Sequence, residues 1–131
     1  MIGLVVVAHA GLAIELLRAC EMIVGPLEKA IAIEIKTDDS VETIRGALTS
    51  ALESVEADGV IIMTDMFGGT PSNMSLSFLE VNRVEVLTGV NLPMMIKFAS
   101  DRHRLSVAEP AAQIKDSGRD GVAVAGDYLK K

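Results

Sequence analysis

Leu4-Val5-Val6-Val7-Ala8 is apolar at every position and ends in His9. A half-exposed strand alternates polar with apolar residues. An unbroken run of this kind therefore predicts a strand buried on both faces, as in parallel sheets covered by helices. A parallel sheet requires crossover connections, and the next segment supplies one. Leu12, Leu16, Ala19 and Ile23 recur at helical spacing, and Gly25-Pro26 ends the run. Ile31, Ile33 and Ile35 then alternate with Ala32 and Glu34, which fits a second strand nearer the sheet edge.

The same rhythm continues along the chain. Asp39 and Glu42 have capping-box spacing ahead of Val41, Ile44, Leu48, Leu52 and Val55, which share one helix face. Gly59–Thr64 reads as a third strand. After it Thr70 fits an N-cap and Pro71 the first helical position. Val84–Leu87 is a fourth strand, and Pro93 opens a helix containing Met94, Met95, Ile96 and Phe98. Ser106 and Glu109 form another capping pattern, Gly118 marks a helix end, and Val122–Ala125 reads as a fifth strand. The expected architecture is a three-layer α/β/α sandwich with a mainly parallel sheet of order 2-1-3-4. At 131 residues it is expected to be one domain, residues 1–131.

Composition removes several function classes. Lys plus Arg is 12 and Asp plus Glu is 18, a formal charge of −6 that argues against a nucleic-acid partner. No apolar run approaches the ~20 residues that span a bilayer, and the N-terminus has no basic segment of a signal peptide, so a cytoplasmic location is expected. Cys20 cannot form an internal disulfide, and with only His9 and His103 beside it no metal site is expected. No cofactor is expected either. Cys20 and Met94-Met95 read as packing, and His103, in Asp101-Arg102-His103-Arg104, reads as a solvated surface group.

In a doubly wound sheet of this order, loops leaving the carboxyl ends of strands one and three flank the crevice where the strand order reverses. His9 follows the first of these strands and Asp65 the other. A carboxylate on one imidazole nitrogen fixes the tautomer, stabilises positive charge on the ring and leaves the second nitrogen's lone pair free. Gly68-Gly69-Thr70-Pro71-Ser72-Asn73 then offers a glycine turn entering a helix N-terminus, where unpaired N–H groups favour an anion. Taken separately, each piece has an ordinary structural use: a hydrogen-bonded histidine, a turn aspartate, a loop. Together they point to phosphoryl transfer through His9, with Asp65 orienting it and Gly68, Gly69 and Thr70 holding phosphoryl oxygens.

Those residues, with Gly89-Val90-Asn91-Leu92-Pro93 and Ser117-Gly118-Arg119-Asp120-Gly121-Val122, resemble the mannose-type enzyme IIA of the bacterial phosphoenolpyruvate-dependent sugar phosphotransferase system across essentially the whole chain. The resemblance implies that His9 accepts a phosphoryl group from the phosphohistidine of HPr. It then passes the group to a IIB protein that serves the membrane components IIC and IID. It also implies a homodimer in which an antiparallel strand at about Val122–Ala125 is exchanged between subunits. With no second domain before Lys131, the IIB partner is expected on a separate chain. Three positions depart from the family pattern. Ala10 stands where glycine is usual, Phe67 where tryptophan is frequent and Met66 where threonine is common. Phe67, Met66 and Leu12 are the candidates for an HPr-facing rim.

Rival readings differ in their site residues. A receiver domain needs an acidic cluster after strand one, where this chain has Ala8-His9-Ala10, and a flavodoxin needs a hydroxyl-rich first loop and ring-stacking aromatics. The phosphoryl-transfer subunit of a dihydroxyacetone kinase and a regulatory phosphoprotein without transport both keep the histidine and stand as alternatives.

Overall fold

The computed structural model describes residues 1–129. The order is β1 (Gly3–His9), α1 (Leu12–Val24), β2 (Ala30–Ile35), α2 (Val41–Val55), β3 (Val60–Thr64), α3 (Thr70–Leu76), β4 (Val84–Thr88), α4 (Leu92–Asp101) and α5 (Ala108–Asp120), then a short 3-10 helix at Ala125–Leu129. The strands form one parallel sheet of order β2-β1-β3-β4, as the apolar runs predicted.

Helices cover both faces, and alternation along β1 assigns each side chain to one of them. Leu4, Val6 and Ala8 pack with Ile61 and Met63 against Ala13 and Cys20 of α1, Met95 and Phe98 of α4 and Ile114 of α5. Val5 and Val7 pack with Ile62 against Ile44, Leu48 and Val55 of α2, with Met74 of α3 alongside. His9 continues the odd-numbered series, so the parity of β1 directs its side chain toward the α2 and α3 face. The edge position of β2 explains the exposed Glu34 in its pattern.

Several local expectations need correction. Val122–Ala125 is not a strand. Residues 122–124 join no strand pairing among the described residues, their backbone contacts being the local turn bonds of Val122 N–H to Arg119 O and Asp127 N–H to Val124 O, and the 3-10 turn starts at Ala125. Val122 and Val124 stand 77% and 70% exposed, so neither has the buried neighbours that hold an apolar strand in place. The N-cap of α2 is Ser40, whose Oγ accepts from the Thr43 N–H at 3.1 Å. Asp39 instead accepts from the Lys36 N–H at 2.8 Å. Thr70 is the first helical residue, with Gly69 as the cap. No side chain caps α5 in the way proposed for Ser106 and Glu109, its N-cap being Val107.

Gly118 does not end α5 but lies inside it. A Cβ there would fall 2.4 Å from Met94 Cγ, so glycine serves the close approach of α5 to α4. Asn91 joins the same contact, its Nδ2 donating to Gly118 O at 2.9 Å while its Oδ1 caps the Met94 N–H at 3.0 Å. The motif around Asn91 and the one around Gly118 are thus two halves of one packing joint. Cys20 is fully buried, and burial together with the Glu21 charge pushes its thiol up, away from reactivity. Met94 and Met95 are core residues, and His103 is exposed.

Candidate functional site

The crevice lies at the carboxyl ends of β1 and β3, where the connections leave toward opposite faces of the sheet. His9 is the last residue of β1, and Asp65 follows directly after β3. Their meeting is intimate. His9 Nδ1 lies 2.7 Å from Asp65 Oδ2, and the His9 backbone N–H donates to the same oxygen at 3.0 Å. The other carboxylate oxygen, Oδ1, accepts from the Met66 N–H at 3.0 Å.

An ionised carboxylate only accepts, so the Nδ1 contact places the ring proton on Nδ1 and the lone pair on Nε2. The His9 side chain is 50% exposed and that of Asp65 12%, so the orienting group is shielded while the ring stays accessible. Burial works to raise the Asp65 carboxyl. The His9 N–H, the imidazole hydrogen bond and the electrostatic attraction of His9 for the charged carboxylate outweigh it and hold the group below the ordinary carboxylate range.

Gly68 and Gly69 serve different ends. Gly68 has φ +88 and open space around it, so its role is conformational: the turn needs a left-handed residue. Gly69 has an extended backbone, with φ −83 and ψ 170. A Cβ there would lie 3.1 Å from His9 Cε1 and 3.7 Å from Nε2. Its missing side chain keeps the ring's reactive edge uncovered. Asn73 closes the turn, its N–H donating to Gly69 O at 2.9 Å and its Nδ2 to Gly68 O at 3.4 Å.

Helix α3 has only seven residues, so local N–H donors matter more here than a macrodipole. Thr70 is exposed and lines a cavity of about 540 Å³ together with His9, Ala10, Ile35, Lys36 and Thr37. His9, Asp65, Gly69 and Thr70 are therefore brought together, and Gly68 shapes the turn that does so. A larger cavity elsewhere does not include His9. It has about 830 Å³ and lies between the end of α1 and α4.

Ala10 adopts φ 51, and its N–H donates to Ile35 O at 2.9 Å, tying the end of β1 to β2. A left-handed residue after the histidine is the physical reason for glycine at this position, and Ala10 holds that conformation under strain. Leu12, Met66 and Phe67 are 45%, 54% and 72% exposed, leaving an apolar rim beside the crevice. Lys36 escaped the sequence reading. Its only signal there was its place one residue after the end of β2.

Residues 3–115 match the family model described as the PTS system fructose IIA component. The chain is 29% identical over 133 residues to the fructose-specific EIIA component of Bacillus subtilis, covering all of this chain and 91% of that protein. It is 30% identical over 124 residues to the mannose-specific EIIAB component of Escherichia coli, covering 92% of this chain but only 38% of that longer protein. Among solved structures, the phosphotransferase system component EIIA of Streptococcus agalactiae superposes with a TM-score of 0.88 at 25% identity, over 97% of this chain and 99% of that one. The mannose/sorbose-specific IIA subunit of Enterococcus faecalis gives 0.83 at 27% identity, over 94% and 93%.

Proposed function

The chain belongs to the mannose/fructose/sorbose family of phosphotransferase-system EIIA components, which transfer phosphoryl groups in sugar uptake, and from that premise we propose that His9 Nε2 is the atom that carries the phosphoryl group. The observation that carries this reading is the 2.7 Å contact between His9 Nδ1 and Asp65, which leaves Nε2 unprotonated beside Gly69.

The lone pair of Nε2 attacks the phosphorus of phospho-HPr, forming the new N–P bond as the donor's P–N bond breaks. The departing electron pair returns to the donor's imidazole. Positive charge then develops on the His9 ring, which keeps its Nδ1 proton, and Asp65 stabilises it. Turn donors at Gly69 and Thr70 meet the phosphoryl oxygens, with Gly68 setting the turn. Little covalent chemistry is asked of the protein, so positioning and charge stabilisation are most of the catalysis. In a second transfer a nucleophile on a IIB domain or protein attacks the same phosphorus, and as the N–P bond breaks its electron pair returns to His9 Nε2. The rim of Leu12, Met66 and Phe67 is the proposed docking edge for the protein partners, and the exposed Val122, Val124 and Leu129 support a homodimer that covers them.

The test is incubation with phosphoenolpyruvate, enzyme I and HPr, followed by intact mass before and after acid treatment. An acid-labile gain of one phosphoryl group is expected, absent in His9→Ala. A gain that persists in His9→Ala places the phosphoryl group elsewhere and overturns the reading.

A further inference from the structure

The cavity beside His9 has a cation on its wall that the chemistry above does not use. Its lining residues are His9, Ala10, Ile35, Lys36, Thr37 and Thr70. Lys36 is the only one of the six with a permanent positive charge near neutral pH.

Sheet register fixes where Lys36 begins. Ile35 is the Cα partner of His9 across the β1–β2 pairing, and its carbonyl accepts from the Ala10 N–H. Lys36 is therefore one residue past a neighbour that faces His9 on the adjacent strand, about 4.8 Å away. Its own N–H is held by Asp39 Oδ2 at 2.8 Å, a backbone contact that any side chain at this position would keep. The side chain is exposed, and among the described residues no ion pair occupies its ammonium.

The local charge balance gives that free cation a use. A phosphoryl group on His9 adds about two negative charges close to the Asp65 carboxylate. The chain already carries −6, and Glu34, Asp38 and Asp39 flank Lys36 in sequence. Thr70 offers a hydroxyl but no charge. Of the cavity's walls, only the β2 side supplies a full positive charge outside the ring itself.

We propose that the Lys36 ammonium binds the phosphoryl group carried on His9, as a cationic contact from the β2 side of the crevice opposite the Gly68–Thr70 turn. This rests on the phosphohistidine reading. It makes the loop after β2 part of the phosphoryl site and sets how strongly the protein holds its cargo against HPr.

The experiment compares wild type with Lys36→Gln and Lys36→Arg, each phosphorylated through HPr. The ionisation of the bound phosphoryl group is followed by phosphorus NMR across about pH 5–8, a range that brackets its expected value of about 6. This readout needs no docked partner. Removing a nearby cation makes the dianion harder to form, so Lys36→Gln is expected to titrate about 0.5 pH higher than wild type, with Lys36→Arg close to wild type. The exchange equilibrium with HPr is expected to shift about threefold to tenfold toward phospho-HPr in Lys36→Gln.

If wild type takes no phosphoryl group on His9, the phosphohistidine reading itself fails. If wild type is phosphorylated and Lys36→Gln titrates identically, the reading survives and the Lys36 contact is overturned. A variant that only slows transfer, with an unchanged titration, also overturns it, since Lys36 would then act in partner docking.

Discussion

At the amino end of the sheet, Arg102 is 4% exposed and commits its guanidinium to backbone. Nε and Nη2 donate to Ile2 O at 3.2 and 3.0 Å, Nη2 also donates to Glu28 O at 2.6 Å, and the group lies 5.0 Å from the centroid of the Phe98 ring. At the carboxyl end, His9 is half exposed and commits one ring nitrogen, leaving the other open. Burial pulls the Arg102 guanidinium downward, and the Glu28 charge opposes it. Each end places a nitrogen-bearing side chain at a terminus of β1. What separates them is what the group offers: Arg102 only donates, and it pins the start of β1 to two other segments, while His9 keeps a lone pair for chemistry.

The largest expected effect that would break this comparison is at Arg102. Arg102→Ala removes the clamp, leaves the Ile2 and Glu28 carbonyls short of donors and exposes Phe98. Thermal and urea unfolding should show a loss of about 3 kcal/mol, roughly 10 °C in Tm. The folded fraction should still accept a phosphoryl group at the wild-type rate. A rate loss beyond the unfolded fraction would mean that the two ends are coupled through β1 and do not divide stability from function.

Asp65→Asn tests the other end. The amide oxygen can still accept from His9, so the tautomer survives while the charge that stabilises an imidazolium is lost. Phosphoryl acceptance, followed as rate of mass gain, should fall about 100-fold with a small change in unfolding free energy. A pH series sharpens the point. Because the folded-state carboxyl lies below its unfolded value, Asp65 contributes stability that is complete above the unfolded value and lost as pH falls through the folded one. Below about pH 4 wild type should lose this increment and Asp65→Asn should not.

The sequence made one end of the molecule more legible than the other. The strand pattern of Leu4–Ala8, the helical spacing after it and the glycine turn are local signals, and with the switch-point rule they were enough to bring His9 and Asp65 together. Arg102 sits in Asp101-Arg102-His103-Arg104, where composition alone reads as a solvated run. Which of its cations turns inward is set by the carbonyls of Ile2 and Glu28, far away in the chain. Lys36 was missed for the same reason, since its meaning comes from the His9–Ile35 register and not from its neighbours. Gly118 looked like a helix stop because the signal for a stop and the signal for close helix packing are the same residue. Val122–Ala125 has strand-like residues, but what such a segment pairs with is not written in its own letters.

The smallest effect separates backbone strain from function. Ala10 and Lys29 both adopt left-handed φ, 51 and 50, at opposite ends of β-strand connections. Both exposed residues sit where a neighbouring strand is tied: the Ala10 N–H donates to Ile35 O, and Lys29 O accepts from the Leu4 N–H. Glycine relieves about 1 kcal/mol of strain at either site, and about half of that is returned through the greater freedom of the unfolded chain. Ala10→Gly and Lys29→Gly should therefore each raise stability by about 0.5 kcal/mol, a change of about 2 °C in Tm. Only Ala10→Gly borders the imidazole, so only it should alter the rate of phosphoryl acceptance. Equal gains with a rate change at Ala10 alone would show that strain is shared by both ends and that proximity to His9 decides which strain the chemistry feels.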